Sequence, residues 1–206
     1  MIVTISREYG AAGLGIARAL ASRLNYGLLT DDLPRSVAAR LGTSADVVAK
    51  RAGNEPTLVE RIVAKLRDAT PDTLGPGMTE GADFDEAVQR EIERTVRVRA
   101  DGGNVVLLGR NAAAVLGLRA NLVRVFLRAE RAWRAARIAA EFRTAEAEAL
   151  ADIERVDAAR KAFARERYGV RWGDARDYDL VLDVGRLGVE RAVDVIAAAA
   201  GSGGAA

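Results

Sequence analysis

The chain reads as an α/β protein built on a parallel sheet with helices on both faces. Three observations lead there. Short, mostly apolar runs rich in β-branched residues recur at residues 2–5, 105–108, 122–127 and 180–184, as expected of strands in a buried parallel sheet. Segments of helical apolar spacing, rather than hairpin partners, separate them. The first run leads into a small-residue loop, Gly10-Ala11-Ala12-Gly13-Leu14-Gly15, and then into a helix-period stretch. Strand, glycine loop and helix in that order form the scaffold of an anion site made of backbone N–H groups and a helix N-terminus.

Taken in order, the strand at 2–5 precedes a helix over 16–24 that carries Ile16, Leu20 and Leu24 at i, i+4, i+8 beside Ala17 and Ala21. That is one stripe for a core, and Asn25 supplies its stop. A short strand is expected at 26–30, before the acidic pair Asp31-Asp32. Pro34 fits the first turn of a helix over 35–41 that Gly42 closes. Thr43 or Ser44 caps a helix over 45–50, and Pro56 starts another over 58–68. Residues 70–82 hold two prolines and three glycines and read as a loop inside one domain.

A long helix over 83–99 turns Phe84, Val88, Ile92, Thr95 and Val96 inward. After a turn at 101–104 come the strand at 105–108, a short helix over 112–116 and the strand at 122–127. Residues 130–168 read as two charged helices with a break near 144–149; their arginines read first as a solvated face with i,i+4 partners such as Glu141 and Glu154. A fraction of them could instead close over phosphates. Trp172 and Tyr178 read as packing residues. The strand at 180–184, a helix over 189–200 and a tail over 201–206 finish the chain.

Composition narrows the chemistry. Cysteine and histidine are both absent, which removes disulfides, thiolate metal sites, histidine bases and the Ser-His-Asp triad. Phosphoryl transfer passes this filter, because it rests on positioning and on charge from Arg, Lys and Mg²⁺. The net charge of +2 argues against a nucleic-acid partner. No apolar run reaches the roughly 18–20 residues of a membrane span, and no secretory leader is apparent, so a cytoplasmic location is expected. Only Lys50, Lys65 and Lys161 are lysines. GC-biased coding explains the arginines, although arginine also suits bidentate phosphate binding.

Gly10 and Gly15 stand at the spacing of a P-loop, but Ile16 and Ala17 occupy its Lys and Ser/Thr positions. An ordinary βα turn that needs glycine only for geometry remains the alternative. Ser6 and Arg7 end the first strand, where α/β sheets bind ligands, and Arg7 could reach phosphate oxygens in place of the missing lysine. Ala17 lacks the usual Mg²⁺-binding hydroxyl, so Mg²⁺ would need a carboxylate or the nucleotide and water. Gly109-Arg110-Asn111 brings a second arginine to the same rim, or is a surface loop. Asp31 follows a strand similarly, or caps the next helix.

Three blocks then resemble a known family: Ser6-Arg7-Glu8-Tyr9-Gly10-Ala11-Ala12-Gly13; Val105-Val106-Leu107-Leu108-Gly109-Arg110-Asn111-Ala112; and Asp157-Ala158-Ala159-Arg160 ahead of Tyr168-Gly169, Trp172-Gly173-Asp174 and Tyr178-Asp179-Leu180. They look like the cytidylate kinase-like proteins, relatives of bacterial CMP kinase among the nucleoside monophosphate kinases. The resemblance implies a P-loop NTPase-like three-layer α/β/α fold as one domain over 1–200, with an acceptor-binding insertion at about 31–82 and a helical lid at about 141–170. It implies ATP and Mg²⁺ as cofactors and transfer of the γ-phosphoryl to CMP or a related small phosphorylated substrate. On that pattern Ser6, Gly10, Ala11, Ala12, Gly13, Leu14 and Gly15 surround the donor phosphates. Asp31, Arg110 and Asn111 (which stands where the motif has Asp) meet the acceptor. Arg7 and the D-x-x-R residue Arg160 supply catalytic charge. Loss of the P-loop lysine leaves a non-catalytic nucleotide sensor as the alternative.

Overall fold

The computed structural model describes residues 1–30, 33–43, 48 and 82–201. Asp31, the 58–68 helix, most of the 45–50 helix and nearly all of the 70–82 loop lie outside them, as does the tail beyond Gly201. Five strands form one sheet: β1 (Ile2–Arg7), β2 (Gly27–Leu29), β3 (Val105–Leu108), β4 (Leu122–Arg128) and β5 (Leu180–Asp183). Their spatial order is β2-β3-β1-β4-β5, and every pairing is parallel. The helices are α1 (Gly13–Leu24), α2 (Leu33–Leu41), α3 (Ala82–Asp101), α4 (Ala112–Leu116), α5 (Arg131–Phe142), α6 (Glu146–Tyr168), α7 (Val184–Leu187) and α8 (Val189–Gly201).

Strand alternation divides the apolar side chains between two layers. Val3, Ile5, Val106, Leu108, Val125 and Leu127 pack with Ile16 and Leu20 of α1 and Val193 and Ile196 of α8. Ile2, Val105, Leu107 and Leu122 point the other way, into a cluster with Val37 of α2, Val88, Ile92 and Val96 of α3 and Leu116 of α4. Ile16 and Leu20 are wholly buried, a contribution of about 1.5–3 kcal/mol each. A small third cluster, Ala135, Ile138, Ala149 and Ile153, joins α5 to α6 and lies against Tyr9.

Several boundaries shift by one to three residues from the sequence reading, and two of the shifts have a local cause. Helix α1 starts at Gly13, three residues before the apolar spacing does, because Ala12 takes a left-handed conformation (φ 54°) and turns the chain straight into the helix. The loop proper therefore ends at Ala12, and Gly13, Leu14 and Gly15 form a first turn. Strand β5 ends at Asp183 rather than Val184, since the Asp183 carboxylate accepts the Arg186 N–H (3.3 Å) and starts the short α7.

Adjacent strands β1 and β3 send their following helices to opposite faces, α1 to one layer and α4 to the other. A crevice opens between two such strand ends. The sheet order therefore places the loops after β1 and β3 side by side.

Candidate functional site

Arg7, the last residue of β1, crosses the glycine loop. A Cβ added at Gly13 would lie 2.8 Å from Arg7 Cγ and 3.3 Å from its Cδ. One added at Gly109, where φ is +74°, would collide with Arg7 Nη1. The side chain thus runs between the loops after β1 and β3, and both positions need glycine to let it pass. Gly10 (φ +83°) has a different reason: an added Cβ would meet Ile138 Cδ1 at 2.8 Å and the Arg134 carbonyl oxygen at 3.2 Å. Of the three glycines in 10–15, Gly15 alone faces open space. Helix α1 leaves the N–H groups of Gly13, Leu14 and Gly15 without an intrahelical acceptor, as any helix start does; the Ile16 N–H is already bonded to Ala12 O (3.1 Å).

Behind the loop, α5 and α6 hold the backbone of residues 7–9. Arg134 of α5 donates to the Tyr9 carbonyl (2.9 Å), to the Ala129 carbonyl (3.0 Å) and to Asp157 (2.7 Å). The other Asp157 oxygen accepts the Tyr9 N–H (2.8 Å), and Glu8 accepts the Ala129 N–H (3.0 Å). Arg160 of α6 donates to the Arg7 carbonyl (3.0 Å) and lies over the Tyr9 ring. The far end of α6 is tied to α3: Arg167 pairs with Glu86 and Glu93, and the Tyr168 hydroxyl donates to Glu93 (3.1 Å). Burial, with the Glu93 charge beside it, pushes the Tyr168 phenol up to about 12.

The loop after β3 is held by its own geometry. Gly109, Arg110 and Asn111 are three consecutive left-handed residues, with φ of 74°, 55° and 48°. For the two non-glycine residues this conformation costs on the order of 1–2 kcal/mol each, less for Asn. Such outliers cluster at ligand-binding positions. Asn111 and Ser6 share a cavity of about 160 Å³ with Arg124, Arg171 and Tyr178. Ser6 and Tyr178 line this cavity together, and burial pushes the Tyr178 phenol up.

The predicted residues divide accordingly. Arg7, Gly13 and Gly109 meet at the crevice, and Arg110 and Asn111 border it on the β3 side. Arg160 meets it at the Arg7 carbonyl. Ala11 and Ala12 are buried, and the Ala11 N–H bonds to Glu8 O (3.2 Å); Leu14 and Gly15 are exposed. Asp31 lies outside the described residues.

Arg134 departs from the solvated-face reading: it is 6% exposed. No local signal marks it, since Tyr9 is 125 residues away. Arg137 does pair with Glu141 at i,i+4, but Glu154 reaches back to Arg131 of α5 instead. Trp172 and Tyr178 pack on Phe126 at 5.1 and 5.0 Å between ring centroids, as packing residues should. Among the described residues no helix is long and apolar enough to cross a membrane.

A parallel five-stranded sheet between two helical layers, with a glycine loop and helix after its central strand, defines a P-loop NTPase-like three-layer fold of the kinase type. The chain belongs to the cytidylate kinase-like family, whose model matches residues 2–186. Among solved structures, an uncharacterized protein from Eubacterium ventriosum is similar with a TM-score of 0.71 and 20% identity, over 98% of this chain and 99% of that one. Shikimate kinase from Acinetobacter baumannii in complex with shikimate is similar at a TM-score of 0.51 and 10% identity, over 100% and 95% of the two chains. A Thermus thermophilus protein gives 0.51 and 18%, over 97% of each. At these identities the likeness is one of fold. No curated protein matches the chain significantly.

Proposed function

We propose that the chain is a phosphotransferase of the nucleoside monophosphate kinase type, moving the ATP γ-phosphoryl to CMP or a related small phosphate acceptor. One observation carries this reading: the Arg7 side chain crosses the glycine loop at Gly13 and ends at Gly109. It brings a fixed positive charge to the crevice where a P-loop would have lysine. ATP with Mg²⁺, when bound, supplies the transferable phosphoryl group and part of its charge neutralisation.

The residues fit a phosphate group better than they fit the metal. Arg7 and the first-turn N–H groups of Gly13, Leu14 and Gly15 offer donors to phosphate oxygens. Ala17 is wholly buried and has no side-chain oxygen to offer a cation, and among the described residues no three acidic side chains gather as a metal site. Mg²⁺ would then be held by nucleotide oxygens and water. Arg7 orients the donor phosphates. Arg110 and Asn111, across the crevice, orient the acceptor, and Arg160 steadies the Arg7 backbone. Ser6 lines the wall beside Asn111 and Tyr178.

A coupled assay with ATP, Mg²⁺ and each nucleoside monophosphate tests the reading; background turnover with every acceptor would sink it. Arg7→Ala is expected to lower kcat by about 10²–10³, the usual cost of one charge-stabilising donor. One observation favours a second reading, nucleotide binding without transfer: Ile16 and Ala17 are both sealed in the core. Calorimetry separates the two, because tight ATP binding without turnover would select the sensor.

A further inference from the structure

The lid arginines of the sequence reading are candidates for direct phosphate contact, and the geometry of Arg134 speaks against that role for it. Its side chain is 7% exposed, and its donors face two backbone carbonyls and Asp157, with Glu8 3.5 Å away. To reach a ligand it would have to leave two partly buried carboxylates, Glu8 and Asp157, without their nearer cation, a costly exchange.

Its own contacts converge instead on Glu8 and Tyr9, the residues that follow Arg7 in the chain. The Tyr9 carbonyl is held by Arg134 and the Tyr9 N–H by Asp157, which Arg134 orients. The Glu8 N–H bonds to Leu127 O (3.0 Å), while the Glu8 carboxylate lies between Arg134 and the Ala129 N–H. The Arg7 carbonyl accepts from Arg160, which is itself 3.9 Å from Asp157. The backbone oxygen and Cβ of Arg134 also form the surface against which Gly10 fits without a side chain. One arginine therefore ties the segment on both sides of its reach, and Arg7 springs from the end of that segment.

We infer that Arg134 is a positioning residue: it fixes residues 7–10 and through them aims the Arg7 guanidinium between Gly13 and Gly109. This rests on the reading of Arg7 as the phosphate-binding arginine. Arg134 and Arg160, both on the helical pair, then serve the site through backbone groups, and Arg7 alone of the three crosses to the β3 loop.

The test combines a ligand-free and a ligand-bound measurement on the full chain. Arg134→Met, Arg134→Lys and the shape-conserving Asp157→Asn are compared by hydrogen exchange, and ATP affinity is measured for Arg134→Met with and without Arg7→Ala. Exchange is expected to rise at least tenfold in peptides covering residues 7–13 and to change little in α5 and α6, with Arg134→Lys partly restoring protection. ATP affinity is expected to fall about tenfold on Arg134→Met in the native background and less than twofold when Arg7 is already alanine. A loss of affinity equal in both backgrounds would overturn the inference, because Arg134 would then act on the ligand or on the whole fold rather than through Arg7. Unchanged exchange at 7–13 would overturn it as well. If Arg134→Met does not fold, Asp157→Asn carries the exchange measurement alone, and unchanged exchange of residues 7–13 in it would overturn the inference. A native chain that binds no ATP, yet loses protection at 7–13 in the variants, would remove the phosphotransfer reading and leave the positioning role standing.

Discussion

The two loops that meet at the crevice deliver their arginines by opposite means. The loop after β1 has ordinary backbone up to Tyr9 and is held from outside, by Arg134, Asp157 and Arg160 on two helices far along the chain. The loop after β3 carries its constraint in its own backbone, three left-handed residues in a row that set the direction in which Arg110 leaves the strand, with the Gly109 N–H bonded to Ile5 O (2.9 Å). A site held by ion pairs and hydrogen bonds from another element moves when that element moves. A site held by its own dihedral angles keeps its shape but carries strain. One wall of this crevice is adjustable and the other is set.

The contrast can be broken most forcefully at Gly10. Gly10→Ala would press a methyl group on Ile138 and the Arg134 carbonyl at an already left-handed position. It should cost about 3 kcal/mol of stability in denaturant unfolding; a native-like midpoint would mean that α5 is not seated on the loop. Gly109→Ala comes next, at about 1–2 kcal/mol. Its sharper signature is displacement of the Arg7 guanidinium, read as weakened ATP binding in calorimetry. Retained ATP affinity would separate Arg7 from the β3 loop.

Alkaline pH should loosen the adjustable wall first. Tyr168 anchors α6 to α3, and its pKa rises from 10.0 to about 12, chiefly by burial. A raised value means that the folded state holds the proton more tightly. The stabilisation is therefore complete below pH 10 and is lost as pH climbs through about 12. Thermal melts across that window should show a step that Tyr168→Phe removes. Last and smallest, Asn111→Gly should relieve strain in the set wall and raise stability by about 0.5 kcal/mol, while Asn25→Gly, left-handed at a helix end far from the crevice, serves as the comparison.

The strands of this fold were legible because each is a short apolar run, and β3 and α4 lie where composition alone put them. The glycine loop was legible as a loop, but not its end. Small residues carry no apolar spacing, so the helix start at Gly13 depended on the left-handed turn at Ala12. Arg7 was readable as a candidate lysine substitute because it ends β1, and strand ends are where ligands gather. The path of its side chain was not readable: its passage between Gly13 and Gly109 joins residues almost a hundred positions apart. Arg134 looked like its neighbours on a charged helix. Burial separated it from them, and burial is decided by what packs on α5, not by the residues of α5.

Setting β1 at the centre of the sheet has a consequence for synthesis. Ile2 pairs with Val105 on one side and Leu122 on the other, so the first strand made is among the last to find both neighbours. At about 5–20 residues per second, translation takes on the order of 6–24 s to reach the second partner. Through that interval the nascent Ile2-Val3-Thr4-Ile5 run waits as an unpaired apolar segment, open to holdase chaperones and to mispairing. The long closure its contacts demand places completion of the sheet late in folding.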